Sequence, residues 1–214
     1  MSVIFDLDGT LVDSAPDMHA AMNRVLAAQG HAQMPLEQVR GFIGNGVPTL
    51  VRRTIASAGA AEDCYDRWHD DYMAAYAEGI CETTVTYDGM IAALDDLSAA
   101  GHRLGVCTNK PQALSDALLA ALGLAGRFDA VLGGDTTFGR KPDPQGLIEV
   151  ARRLGGGPMI MVGDSPADAG AARSAGMPIL LYTGGYRDLS VEAIAPDAAF
   201  DHWSELPALI AARL

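Results

Sequence analysis

Two acids one residue apart, Asp6 and Asp8, end the short apolar run Val3-Ile4-Phe5 and are followed by Gly9-Thr10. Read as a buried strand, that run delivers Asp6 to the strand's carboxyl end and Asp8 just past it. In an open α/β sheet the carboxyl ends of the strands are where ligands bind. Carboxylates this close repel each other unless a cation or a shared proton compensates. A strand followed by an Asp-Gly turn would leave the same pattern without any site. The rest of the chain decides between the two.

Three more apolar runs end in polar groups. Residues 103–107 lead into Thr108-Asn109-Lys110-Pro111, residues 130–132 into Gly133-Gly134-Asp135, and residues 159–162 into Gly163-Asp164-Ser165. Lys141 lies in Arg140-Lys141-Pro142-Asp143-Pro144, after the second of these. If the runs are parallel strands, their acids, hydroxyl, amide and lysine collect on one rim. Two or three carboxylates without a His or Cys ligand favour a hard cation, Mg²⁺ first. A lysine, a Thr hydroxyl and an Asn amide can bind phosphate oxygens that the cation leaves free. A free carboxylate can attack phosphorus to give an aspartyl-phosphate. A second acid can protonate the leaving oxygen and then activate water. Together these make phosphoryl transfer by positioning and charge neutralisation.

A sheet must position these groups. After Ser14 the period becomes helical, with Met18, Ala21, Met22, Val25 and Leu26 on one face. Ser14 as N-cap, with Asp17 three residues on, predicts a capping box. Further helices are expected over 35–40, around Leu50, Val51, Thr54, Ile55 and Ala58, and around Cys64, Trp68, Tyr72, Ala75 and Tyr76. No strand is expected between 15 and 79. From Thr83 onward helices and strands alternate: helix 89–100, strand 103–107, a helix with Leu114, Leu118 and Leu122, and strand 130–132. A helix ending at 154 follows, then strand 159–162, helix 167–175, strand 179–182, an edge strand at 198–200 and a helix at 205–213. Strands separated by helix-length segments imply right-handed crossovers and a parallel sheet. The fold class is therefore a doubly wound, Rossmann-like α/β core over residues 1–14 and 83–214, with an α-helical insertion over 15–82.

Four motifs carry a family resemblance: Asp6-Leu7-Asp8-Gly9-Thr10-Leu11-Val12-Asp13-Ser14, Val106-Cys107-Thr108-Asn109-Lys110-Pro111, Arg140-Lys141-Pro142-Asp143-Pro144 and Val162-Gly163-Asp164-Ser165-Pro166-Ala167-Asp168. In this order and over nearly the whole chain they resemble the haloacid dehalogenase-like superfamily, and within it the phosphoglycolate phosphatases. The resemblance implies that Asp6 is the nucleophile and a metal ligand. Asp8 would be the general acid/base, with its backbone carbonyl on the metal. Thr108 and Asn109 would bind phosphate, and Lys141 would neutralise the nucleophile and the phosphoryl oxygens. Asp164 would ligate Mg²⁺, with Asp168 as its partner acid, directly or through water. The helical insertion would be a mobile cap. Asp8 points to phosphate chemistry, because the superfamily's dehalogenases lack that second acid. Gly44-Asn45-Gly46 is similar to the cap loop of the phosphoglycolate phosphatases. Thr137-Phe138 and Pro166-Ala167 depart from that subgroup's pattern without replacing a catalytic group. The substrate implied is 2-phosphoglycolate. Another small phosphate (sugar phosphate, nucleotide or pyrophosphate) is the near alternative, and a non-catalytic phospho-ligand binding module the distant one.

Composition narrows the partners. The net charge of −12 over 214 residues argues against nucleic-acid and anionic-membrane partners, which need a basic surface. An anionic substrate then requires positive charge concentrated in the site. The chain has only two lysines, Lys110 and Lys141. Lys141 is read as functional, whereas Lys110 is divided between substrate contact and solvent. Cys64, Cys81 and Cys107 are read as free thiols. Nothing resembling a signal peptide precedes Val3 and no apolar run approaches a membrane span, so a cytoplasmic protein is expected. Neither a monomer nor a homodimer is singled out. Asp13 is read as a linker acid, Asp135 as a turn residue, Asp143 as a helix-start acid, and the five histidines as surface groups. Trp68, Tyr72 and Tyr76 are read as apolar packing within the helical insertion.

Overall fold

Four consecutive buried residues, Ser2–Phe5, form β1 in the middle of a six-stranded sheet. The structure is a computed structural model that describes residues 1–213. After β1 come the two-residue β2 (Val12–Asp13) and the helices α1 (Ala15–Ala28), α2 (Leu36–Arg40), α3 (Val47–Ala58) and α4 (Tyr65–Glu78). The chain returns through β3 (Val85–Thr86) and then alternates. The order is α5 (Met90–Ala99), β4 (Arg103–Cys107), α6 (Gln112–Ala121), β5 (Ala130–Leu132), α7 (Gln145–Arg153) and β6 (Met159–Gly163). It ends with α8 (Pro166–Ser174), β7 (Ile179–Tyr182), α9 (Val191–Ile194), β8 (Ala198–Phe200) and α10 (Leu206–Ala211). Among the described residues, no helix is long and apolar enough to cross a membrane.

The strand order is β5-β4-β1-β6-β7-β8, with every pair parallel. The chain winds outward from β1 to β5, then crosses back to β6 and winds outward the other way. The reversal opens a crevice outside the carboxyl ends of β1 and β6, the place where such sheets bind ligands. Asp6 follows β1 there and Asp164 follows β6. The pleat divides β1 between two cores. Val3 and Phe5 pack with Leu94, Val106 and Trp203, and Ile4 with Leu147, Met161 and Leu181. Coverage on both faces explains why the strands read as continuous apolar runs. The helices of residues 15–82 keep a separate apolar cluster, in which Met22, Leu26, Leu50, Ile55, Trp68 and Tyr72 are fully buried. Leu114 of α6 reaches into it.

The start of α1 departs from expectation. Ser14 makes no side-chain cap; its hydroxyl donates to Asp8 Oδ1 instead. Asp17 closes no capping box either. Its carboxylate accepts the backbone N–H groups and hydroxyls of Thr83 and Thr84. Beside it β2 and β3 pair antiparallel, Val12 with Thr86 and Asp13 with Val85. This ribbon was not expected, because two residues are too few to show a strand's period. Ribbon and carboxylate together stitch the exit into the helices to the return from them.

Burial works to raise the Asp17 carboxyl, but the hydrogen bonds from Thr83 and Thr84 outweigh it and hold the group below its ordinary pKa. Its stabilisation is therefore present above the unfolded carboxyl pKa and lost as pH falls through the lower folded value. Asp17→Ala strands two amides and two hydroxyls and should cost about 2–3 kcal/mol in urea unfolding at neutral pH. The loss should shrink in acid. A midpoint unchanged at neutral pH would show that the junction does not depend on Asp17.

Candidate active site

Asp6 N–H continues the ladder from β1, donating to Val162 C=O at 2.9 Å. This fixes the residue where the sheet ends, and its side chain is buried there. Asp6 Oδ1 accepts Leu7 N–H at 2.7 Å and lies 2.7 Å from Lys141 Nζ. Lys141 Nζ also lies 2.6 Å from Asp168 Oδ1. The other Asp168 oxygen accepts Asp164 N–H, Ser165 N–H and the Ser165 hydroxyl. Ser165 caps α8 through Asp168, a reciprocal capping box that sets the rotamer of Asp168. Asp164 accepts the Thr10 hydroxyl at 2.8 Å on Oδ1 and Tyr186 N–H at 2.7 Å on Oδ2. Gly9 leaves room for that carboxylate. It has φ +85°, and a Cβ there would stand 2.6 Å from Asp164 Oδ2.

Asp6, Asp164 and Asp168 each place a carboxylate oxygen within 4.8 Å of the other two. Burial pushes the Asp6 carboxyl up to about 7; Lys141 opposes the shift and Asp168 adds to it. Burial, then the charges of Asp168 and Asp6, push Asp164 up to about 8. Burial alone would lower Lys141, but Asp168 and Asp6 hold its ammonium above the ordinary range. Two of the three acids thus share one lysine, and the donor set is all oxygen. That is what a hard divalent cation takes.

The sign of the pH dependence follows. Asp6 and Asp164 hold protons in the fold that the unfolded chain, with carboxyl pKa near 3.8, has released. Their contribution is complete below that value and lost as pH rises through about 7 and about 8. Chelator-treated protein should therefore melt lower at about pH 8.5 than at about pH 5.5. Mg²⁺ should raise the melting temperature more at the higher pH, since bound metal displaces those protons. Equal Mg²⁺ shifts at both values would count against the acid cluster as the metal centre.

Asp8 faces a different partner. Its Oδ1 accepts the Ser14 hydroxyl and lies 3.0 Å from Lys110 Nζ, which is 3.3 Å from Oδ2. Lys110 is buried, not solvated, and donates to Tyr76 Oη of α4 at 2.6 Å. Tyr76 is therefore more than packing within the helical insertion. Asp6, Asp8, Thr108, Asn109 and Lys110 line one pocket roofed by Met18, Ile43, Gly44, Gly46, Val47, Leu50 and Tyr76. Lys141, Asp164 and Asp168 do not line it and cluster with Asp6. The Thr108 oxygen accepts Lys110 N–H at 3.2 Å, and among the described residues its hydroxyl donates to no group.

Two candidate residues are placed otherwise than expected. The Asn109 side chain is committed to backbone: it donates to Gly44 C=O and Lys141 C=O and accepts Lys141 N–H. It ties the 44–46 loop and the Lys141 loop together and leaves no side-chain amide for phosphate. Asn45 is exposed and lines an outer cleft with Arg53 and Tyr186. Only the flanking glycines reach the pocket. The N-terminus of α6 is capped by neither Thr108 nor Asn109; Gln112 N–H donates to Asp135. Asp143 accepts Gln145 N–H at the start of α7. Cys107 is buried, and burial pushes its thiol up to about 12, leaving it inert.

Tyr186 was missed. Its N–H holds Asp164, while its hydroxyl donates to Asp13 and accepts the N–H groups of Ser14 and Ala15. Its place just after the carboxyl end of β7 was the available signal.

A parallel sheet with β1 central, acids at its carboxyl rim and a lysine between them define a class, and comparison with known proteins agrees. Residues 3–182 match the model of the haloacid dehalogenase-like hydrolase family, and the chain belongs to that family. Within it the chain resembles phosphoglycolate phosphatases. It is 44% identical over 210 residues to the phosphoglycolate phosphatase of Cereibacter sphaeroides (strain ATCC 17029 / ATH 2.4.9), covering 97% of this chain and 96% of that protein. The corresponding enzyme of Rhodobacter capsulatus is 39% identical over 211 residues, 98% of this chain and 96% of that one. A crystal structure described as a predicted phosphoglycolate phosphatase from Haemophilus somnus 129PT superposes with a TM-score of 0.92 at 31% identity, covering 98% and 97% of the two chains.

Proposed function

We propose that this chain is a Mg²⁺-dependent phosphatase that hydrolyses 2-phosphoglycolate to glycolate and phosphate through an aspartyl-phosphate on Asp6. The observation that carries the reading is the buried carboxylate Asp6, paired with Lys141 and opening on a pocket that also holds Asp8. Asp6 attacks phosphorus in line with the leaving oxygen. Lys141 Nζ, fixed by Asp168, draws charge from the attacked phosphoryl group. Asp8 gives a proton to the leaving oxygen and then takes one from the water that opens the acyl phosphate. The Thr108 hydroxyl donates to a phosphoryl oxygen. Asp6 and Asp164 would hold Mg²⁺. Asp168, whose oxygens already serve Lys141 and backbone N–H groups, would act through those groups or a bridging water. Bound Mg²⁺ would neutralise phosphoryl oxygens. Residues 15–82 form a cap that closes the pocket against bulk water, hinged where β2, β3 and Asp17 meet.

The substrate follows from the relatives' activity and from pocket size and charge. A short apolar roof over two acids and one buried lysine suits a small anion better than a nucleotide. Phosphate release from 2-phosphoglycolate, sugar phosphates, nucleotides and pyrophosphate tests this. With Mg²⁺ present, 2-phosphoglycolate should exceed the others by at least about 10-fold in kcat/KM, and chelator should stop the reaction. Release from no substrate in the panel would make the chain a phospho-ligand binder.

A further inference from the structure

The two lysines of the chain are both in this pocket region, each about 4% exposed. Lysine is seldom buried without a task. Lys141 belongs to Asp6 and Asp168. Lys110 belongs to Asp8, its only acidic partner among the described residues. Among the described residues it is the only basic side chain lining the pocket. Tyr76 holds it from the helical side, with the phenol oxygen accepting at 2.6 Å and the ring centroid 4.4 Å away.

This arrangement obstructs Asp8. Its Oδ1 is occupied by Ser14 and Lys110, and its Oδ2 lies 3.3 Å from the same ammonium. Three of the carboxylate's roughly four accepting directions are then engaged, which leaves little of it to meet a leaving oxygen. The order across the pocket suggests what removes the obstacle. Lys141 pairs with Asp6 and Lys110 with Asp8, so the pairings run cation, acid, acid, cation. A phosphorylated small acid has the matching order: phosphoryl group, ester oxygen, carboxylate.

We infer that Lys110, seated by Tyr76, is the receptor for the substrate's carboxylate and that binding transfers Lys110 from Asp8 to that carboxylate. The exchange frees Asp8 Oδ2 and leaves Oδ1 with Ser14 alone, so the carboxylate can reach the ester oxygen. A phosphate ester without the second anion leaves Lys110 on Asp8, so the pocket selects carboxylated substrates through turnover as well as affinity. This inference rests on the phosphatase reading above and adds the residues that choose the substrate.

The test compares 2-phosphoglycolate with its neutral amide, 2-phosphoglycolamide, using the full chain with Mg²⁺. The wild-type protein should prefer the carboxylate by at least about 100-fold in kcat/KM, with part of the preference in kcat. Lys110→Met should collapse the ratio toward one. Tyr76→Phe, which keeps the ring and removes the acceptor, should raise KM for the carboxylate about 5-fold and move the amide less. A wild-type ratio near one would overturn the exchange while leaving the phosphatase intact. So would parallel losses on both substrates in Lys110→Met, which would mark Lys110 as structural. Hydrolysis of neither ester by the wild-type protein would overturn the phosphatase reading itself.

Discussion

Asp6→Asn should yield a protein that is more stable and nearly inactive. The substitution keeps the shape of the side chain and the acceptor for Leu7 N–H and Lys141, both of which meet Oδ1. It removes one of three clustered buried carboxylates, two of which share Lys141. Because burial and Asp168 push the Asp6 carboxyl up to about 7, the charged form is disfavoured in the metal-free fold. Removing it should therefore raise the melting temperature above pH 7 in chelator, and change it little well below that. Turnover of 2-phosphoglycolate should fall on the order of 10³–10⁵-fold, the scale of losing a nucleophile. An amide does not attack phosphorus, and no neighbour can replace it: Cys107 is inert, and Asp164 faces Thr10 and Tyr186. Phosphate release and thermal melts on one preparation check both halves. Activity within about tenfold of wild type would place the nucleophile elsewhere.

The legible parts of the chain were those where one residue's neighbours in sequence dictate its environment. The 103–107, 130–132 and 179–182 strands are apolar runs cut by Thr, Gly or Asp, and the structure places β4, β5 and β7 at those bounds. A parallel sheet puts every carboxyl end on one rim, so the gathering of Asp6, Thr108 and Asp164 followed from strand assignment; Lys141 comes to them through the loop between β5 and α7. The order of strands did not, because nothing local says on which side of β1 a crossover lands.

What stayed hidden depends on how the helices of 15–82 sit on the sheet. Tyr76 has the helical spacing of Trp68 and Tyr72 and is just as buried; only its hydroxyl, beside Lys110, separates packing from site. Asp17 has the spacing of a capping box, yet a stronger set of donors arrives 66 residues later. Asn109 looks like an anion ligand because its amide is polar and on the rim. In the fold, two loop backbones use up that amide. Polar groups with several plausible partners are decided by the tertiary structure, which a single sequence does not display.

Lys141→Met should be the most disruptive single change, because it damages chemistry and stability together. Methionine matches the stem and deletes the charge. Asp6 and Asp168 then face each other beside Asp164 with no cation, and Asp168 Oδ1 loses its 2.6 Å donor. Removing one partner of a buried ion pair costs about 3–5 kcal/mol. Lys141 was also what restrained the upward shift of Asp6, so proton affinity in the cluster rises further. The loss should therefore be larger at pH 8.5 than at pH 5.5 by the linkage argument, and added Mg²⁺ should restore part of it. Arginine would not rescue the site, since its planar fork needs more room than an ammonium seated between two carboxylates. With Mg²⁺ present, kcat should drop by about 10²–10³-fold from lost charge neutralisation at the phosphoryl group. A second substitution separates the two damages. Asp168→Asn removes the acid that Lys141 holds, so in the double variant the stability losses should fall short of additive by about 1–3 kcal/mol. The activity loss should persist, because the missing charge at Asp6 is not replaced. Additive stability losses would mean that Lys141 and Asp168 do not depend on each other, and would undo the account of how this lysine is positioned.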